Sequence, residues 1–303
     1  MTPTTGLSQD SAPRGGANHA PDARLPAALR LGQVRLQVGD LARSLEYYTT
    51  VLGLDVREQN ASSATLAAVD GTTLVELFAE PGTRAVQPHG RLGLYHFAIL
   101  LPDRPALGRF LAHLARTGTR IGASDHLVSE AIYLRDPDGL GIEVYADRPR
   151  ADWRLVNGQV EMATAPLDAE SVIAAGGDVP WLGMPAGTVM GHLHLHVADI
   201  DVASRFYHEA LGLDRTVWNY PGALFLSAGG YHHHLGLNTW AGAHAASPAA
   251  DEARLLHWRI VLPPADARSA ATRLAAAGHD VREGSGEWVA QDPWGTTLVL
   301  AGG

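Results

Sequence analysis

The sequence predicts an α+β protein made of four successive β-α-β-β-β modules. Three observations lead there. Two short segments recur in alternation, each passes from apolar residues at period two to apolar residues at helical spacing, and tight-turn sequences sit where strands must reverse. Val34-Arg35-Leu36-Gln37-Val38-Gly39-Asp40-Leu41, followed by Tyr47-Tyr48 and Leu52-Gly53-Leu54, returns as Leu193-His194-Leu195-His196-Val197-Ala198-Asp199-Ile200 with Phe206-Tyr207 and Leu211-Gly212-Leu213. A second type alternates with it: Tyr95-His96-Phe97-Ala98-Ile99-Leu100-Leu101-Pro102 with Asp136-Pro137-Asp138-Gly139 returns as Leu256-His257-Trp258-Arg259-Ile260-Val261-Leu262-Pro263 with Asp292-Pro293-Trp294-Gly295.

Taken in order, the first 28 residues are rich in small and polar types, lack the apolar run of a signal peptide, and are expected to form a disordered tail. Modules follow near 31–80 and 92–147, then a connector over 149–189, then modules near 190–241 and 255–301. In each, a Val, Ile and Leu strand leads through a polar turn into a helix such as Ala106 to Ala115, and Gly53 and Gly212 stand where such helices end. Two or three strands complete the module through turns such as Asp136-Pro137-Asp138-Gly139, before Ile142-Glu143-Val144-Tyr145. The connector breaks the repeat, exceeds an ordinary loop, and is expected to hold one short helix around Asp168 to Ala175. As continuous stretches, 29–148 and 190–303 are the expected domains.

Composition narrows the function. A net charge of -9 without a basic stripe argues against nucleic acid, and no stretch reaches the roughly 20 apolar residues of a membrane helix, so a cytoplasmic protein is expected. With no cysteine, disulfides, thiolate catalysis and Cys-ligated zinc are excluded, and the 15 histidines become the candidates for metal chemistry. His96, His192 and Glu143 form the two-imidazole, one-carboxylate set that holds iron(II) on one face. Glu143, flanked by Ile142 and Val144, would be costly to bury unpaired, which calls for a cation nearby.

Modules that end in a DPDG turn and a Glu-x-Tyr strand resemble the vicinal oxygen chelate superfamily, over about residues 31–303, and its four-module, catechol 2,3-dioxygenase-like members in particular. The resemblance implies that modules pair into two U-shaped mixed β-sheet half-barrels with outer helices, each pair able to enclose one metal. It places ligand positions at the first strands, Gln33, His96, His192 and His257, and at the last strands, Glu76, Glu143, Gly236 or its neighbour Leu235, and Val299. Pairing modules two and three completes His96, Glu143 and His192. Pairing one and two instead gives Gln33, Glu76, His96 and Glu143, similar to the zinc or nickel set of glyoxalase I. Pairing three and four leaves Val299 where a carboxylate belongs, and pairing one and four gives Gln33, Glu76 and His257.

The resemblance also implies an acid-base His, matched to His233 in Tyr231-His232-His233-His234-Leu235-Gly236-Leu237-Asn238, with His234 where the family has Asp. Tyr133, ten residues before Glu143, and His126 are matched to residues that hydrogen-bond the substrate oxygen and orient the ring. Because neighbours on a strand face opposite ways, His233 and the pair His232 and His234 cannot all point into the cleft. The expected activity is extradiol cleavage of a small aromatic diol with O2, using Fe(2+), with Mn(2+) an alternative metal. Its rivals are a glyoxalase-like isomerase and a metal-free, resistance-type binding protein. His194 and His196 are expected to fill the sheet as hydrogen-bonded imidazoles, and His113, His208, His244 and His279 to lie at the surface. Trp181, Trp218, Trp240, Trp258 and Trp288 are candidates for an aromatic pocket or for the core, and an exposed sheet edge or helix would suit a homo-oligomer.

Overall fold

The structure, a computed structural model, describes residues 24–87 and 89–303. The expected tail lies outside the described residues up to residue 23; from Arg24 the chain is packed. The Leu25 amide donates to Gly212 O at 2.9 Å, the Arg24 guanidinium donates to the His208 and Leu213 carbonyls, and Leu25 and Leu29 are buried. Two apolar side chains four apart outweigh the polar composition around them. His208, expected at the surface, is half-buried under Arg24.

All four modules have the expected order. In module two, strand Gly93–Leu100 leads into helix Arg104–Thr117 and strands Gly122–Asp125, Ser129–Arg135 and Gly141–Asp147. The helix starts because the Asp103 side chain accepts the Ala106 amide at 2.7 Å, and stops at Gly118, whose φ of 67° suits a residue without Cβ. Asp40 and Asp199 cap the helices of modules one and three in the same way. In module three the helix continues as a π-helix from Arg205 to Ala210. The connector holds its predicted helix at Ala169–Gly176, capped by Asp168, and a two-stranded hairpin, Leu155–Val156 with Gln159–Val160.

The sheets do not follow the division into 29–148 and 190–303. One eight-stranded sheet joins modules two and three, and a nine-stranded sheet joins modules one and four. In each, first strands meet antiparallel: Val189–His196 lies against Gly93–Leu100, and Arg254–Leu262 against Val34–Val38. The first strand of each module also runs parallel to its own last strand, leaving both ligand-bearing strands of each module at the centre of a curved sheet. Gln33 and Glu76 therefore sit in a different sheet from His96 and Glu143, which separates the glyoxalase-like set into two halves.

The half-barrels are latched to each other through their DPxG turns. Asp136 accepts the Asp138 and Leu140 amides at 2.9 and 2.8 Å, closing the turn, and also the hydroxyl of Tyr48 from module one at 3.1 Å. Asp292 repeats this with the Trp294 and Thr296 amides and Tyr207 of module three. The repeated aromatic pair thus ends in a tyrosine that crosses from one half-barrel to the other.

Candidate metal centre

Strand register places the ligand positions. In every module the residue two beyond the first-strand position pairs with the last-strand position: Arg35 with Glu76, Ala98 with Glu143, His194 with Gly236, Arg259 with Val299. The last-strand position of module three is thus Gly236 and not Leu235. A Cβ there would stand 2.8 Å from the His194 ring, so glycine gives that imidazole its space. A bulge between Met190 and His192 shifts the pairing with module two by one residue at Gly191. A Cβ on Gly191 would fall 2.0 Å from the Tyr145 hydroxyl, so this strand bends around a tyrosine that backs the His192 ring at a centroid distance of 4.9 Å.

His96, Glu143 and His192 converge: each offers a ligand atom, and these atoms lie within 4.8 Å of one another, with all three residues buried. Glu143 Oε2 is 3.0 Å from His96 Nε2 and 3.2 Å from His192 Nε2. His96 Nε2 nevertheless lacks hydrogen-bonding geometry to any partner. It approaches the carboxylate in distance but not in angle, as expected of side chains aimed at a shared point. Burial pushes the His96 imidazole below its ordinary range, keeping it neutral. Burial alone would push Glu143 up, but the His192 and His96 rings hold it well below the usual carboxylate range. Neutral imidazoles and an ionised carboxylate are the ligating forms, and a buried carboxylate with an unpartnered imidazole nitrogen fits a divalent cation.

The three residues border a cavity of about 250 Å3 whose walls include Tyr95, Tyr220, Phe225 and Trp240. Trp240 is the only candidate tryptophan on this wall; Trp258 and Trp288 are core, Trp181 stacks on Phe110, and Trp218 is exposed. His194 accepts from Asn238 Nδ2 at 3.0 Å, and His196 donates to Asn238 Oδ1 at 2.6 Å, so both are hydrogen-bonded imidazoles of the sheet. The connector supplies Met162, Ala163 and Thr164 to the same wall, a contribution its irregular sequence did not signal.

Tyr133 lies directly opposite Glu143 in the sheet, and burial, then the Glu143 charge, raise its pKa well above the phenol range. His126 Nδ1 is 2.7 Å from the Ala163 carbonyl, so it carries the proton; in the neutral ring Nε2 is then an acceptor, and the Tyr133 hydroxyl donates to it at 2.5 Å. His126 lines the cavity beside Tyr133, but both of its ring nitrogens are engaged, so the expected donation from His126 to a substrate oxygen has no free N–H in this arrangement.

The tract 231–234 is also placed differently from a strand. Gly229 and Gly230, with φ of 61° and 68°, turn the chain, and the strand begins only at Leu235. Strict alternation does not apply, and both His232 and His233 are buried. Of the three histidines, His233 lines the cavity, its ring 4.1 Å from that of His192. Burial and the neighbouring imidazoles lower its pKa well below the ordinary histidine value. His232 turns the other way, with Nε2 at 2.9 Å from Asp147 Oδ1, and His234 Nδ1 accepts the Ala228 amide.

Residues 30–144 and 189–300 match the family model of the Glyoxalase/Bleomycin resistance protein/Dioxygenase superfamily, and the chain belongs to that family. It is 43% identical over 268 residues to a Bacillus subtilis protein named catechol-2,3-dioxygenase, covering 87% of this chain and 93% of that one. Among solved structures, a Bacillus subtilis protein provisionally described as a dioxygenase superposes with a TM-score of 0.62 at 14% identity, covering 92% of this chain and 86% of that one. Glyoxalase I from Zea mays superposes with a TM-score of 0.53 at 17% identity, covering 91% and 92%. At such identities these two structures speak to the fold alone. No helix among the described residues is long and apolar enough to cross a membrane.

Proposed function

We propose that this chain is an iron(II)-dependent extradiol dioxygenase that opens the ring of a catechol beside its hydroxyls, with both atoms of O2 entering the product. The observation that carries this reading is the convergence of His96, Glu143 and His192 at one end of an aromatic cleft that also holds Tyr133 and His233. The relative named catechol-2,3-dioxygenase, matched over most of both chains, supports the same reading. These three residues would hold the metal, and iron(II), or manganese(II) with similar ligands, supplies a centre that accepts the diol oxygens and O2.

The protein's own groups then divide the work. The aromatic walls would sandwich the ring and exclude water, and among the described residues of the cavity wall Glu143 is the only carboxylate and none is Lys or Arg, which favours a diol with uncharged ring substituents. The Tyr133 hydroxyl, donating its hydrogen bond to His126, turns a lone pair to the cleft and orients a substrate hydroxyl. Neutral His233 accepts a catechol proton and returns it later in the reaction.

The test is to load the protein with iron(II) anaerobically, then add catechol and air. A yellow ring-opened product with matching oxygen uptake is expected. No uptake with any uncharged catechol would overturn the assignment.

A further inference from the structure

Behind His233, two side chains to which no role has been given, His232 and Asp147, continue a line away from the cleft. Asp147 Oδ1 is 2.9 Å from His232 Nε2, and His232 Nδ1 is 2.7 Å from His233 Nδ1. His232 is fully buried, with Trp153 and Tyr231 rings packed against it at 5.1 and 4.1 Å. Tyr231 also donates its hydroxyl to Asp147 Oδ1 at 3.2 Å, so two donors converge on one carboxylate oxygen.

Proton counting along this line has one solution when both rings are neutral. Asp147 accepts, so His232 carries its proton on Nε2. Its Nδ1 is then a lone pair, which at 2.7 Å from another ring nitrogen requires the proton to sit on His233 Nδ1. The second nitrogen of His233, Nε2, is left bare. We propose that His232 and Asp147 are a positioning dyad that locks His233 in the Nδ1–H tautomer, with its Nε2 lone pair available to a proton of the bound diol. The dyad acts through His233 and touches no reacting atom. An imidazole with the reversed tautomer would present N–H to the substrate and could not accept its proton, so the alignment decides function without altering the shape of the cleft.

This inference rests on the acid-base role given to His233, but its geometry can be read separately. The measurement is the ring-nitrogen spectrum of 15N-histidine-labelled, metal-free protein at neutral pH, which distinguishes protonated from bare Nδ1 and Nε2. The wild type should show His233 as Nδ1–H with bare Nε2. In His232→Leu, which removes the acceptor, that preference should vanish. His232→Asn, whose amide oxygen can stand where Nδ1 accepts, should restore it. With iron(II) added, His232→Leu should lower kcat by about a hundredfold or more with KM changed less than about threefold, by analogy with other misoriented catalytic imidazoles.

A wild-type spectrum with His233 as Nε2–H, or a tautomer unmoved by His232→Leu, would overturn the dyad. If the tautomer responds as stated while no catechol is cleaved by the wild type, the dyad stands and the dioxygenase reading fails.

Discussion

At matched positions the half-barrel of modules two and three presents His96, His192 and Glu143. That of modules four and one presents His257, Gln33 and Val299, with its carboxylate moved to the other module at Glu76. Glu76 is a quarter exposed, accepts from Gln33 Nε2 at 2.8 Å, and has Arg35 at 4.0 Å. Glu143 is 2% exposed and faces two imidazole rings instead of a guanidinium. One carboxylate thus finds its donors and cation within the chain, while the other is buried with no fixed cation beside it. A buried carboxylate whose nearest groups are imidazoles is a candidate metal position, whereas the matched carboxylate of the other half-barrel is already paired with side chains of its own sheet. Arg35 occupies the position that His194 has in the other half-barrel, and Arg259, paired with Glu287, that of Ala98.

The sharpest way to break this comparison is to exchange the carboxylates for amides and measure bound iron. Glu143→Gln should weaken iron binding by about a hundredfold or more, since it removes the sole anionic donor, whereas Glu76→Gln should leave the iron content unchanged. Equal losses in both variants would mean that the second half-barrel also contributes to the metal.

The next largest effect concerns the glycine that precedes the first-strand position in modules one and three. Gly191→Ala drives a Cβ to 2.0 Å from the hydroxyl of the fully buried Tyr145, which is itself bonded to Tyr231 at 2.7 Å. The matching Gly32→Ala meets Arg259 Cβ at 2.9 Å, between half-buried residues where a smaller shift relieves the contact. Urea unfolding should show Gly191→Ala destabilised by roughly 3 kcal/mol or more and Gly32→Ala by about 1. Indistinguishable midpoints would deny that the bulge at module three is shaped by Tyr145.

How much of this was legible in the sequence follows the same contrast. The modules were readable because the switch from period two to helical spacing recurs four times, and the residues that converge at the candidate site because His and Glu at strand positions are chemically conspicuous. The partner of each sheet was not: Val34–Val38 and Leu193–Val197 both alternate well enough to pair with either neighbour, and only the ladder of first strands decides. The placement of the 232–234 tract was hidden by Gly229-Gly230, a turn signal directly before it that delays the strand and frees both His232 and His233 from alternation. The role of Tyr48 and Tyr207 was not legible because their partners, Asp136 and Asp292, lie in the opposite half-barrel. The co-occurrence of an aromatic pair and a DPxG turn in successive modules was the available clue.

Those latches give a pH-dependent prediction. Burial raises Asp136 to about 6, and Asp292 is raised for the same reason, against the opposing pull of the turn amides. A carboxyl with a folded pKa above its unfolded value binds more protons in the native state between the two, so stability falls as pH rises from about 4 to 6. For Asp136 the full span is on the order of 3 kcal/mol. Asp136→Asn should flatten this slope in denaturant titrations taken across that window; an unchanged slope would place the buried proton elsewhere.

The smallest effect expected is that of the internal cation in the half-barrel without the histidine pair. Arg35 is 39% and Glu76 25% exposed, and at 4.0 Å their charges are partly screened by water, so Arg35→Ala should cost no more than about 1 kcal/mol. Gln33 continues to donate to Glu76 in that variant, leaving the carboxylate bonded rather than orphaned. Thermal unfolding of Arg35→Ala and of Arg35→Ala with Glu76→Gln measures the pair's own worth. If the single variant lost several kcal/mol and the double recovered it, Glu76 would be as dependent on its cation as Glu143, and the contrast between the two half-barrels would reduce to which cation each one holds.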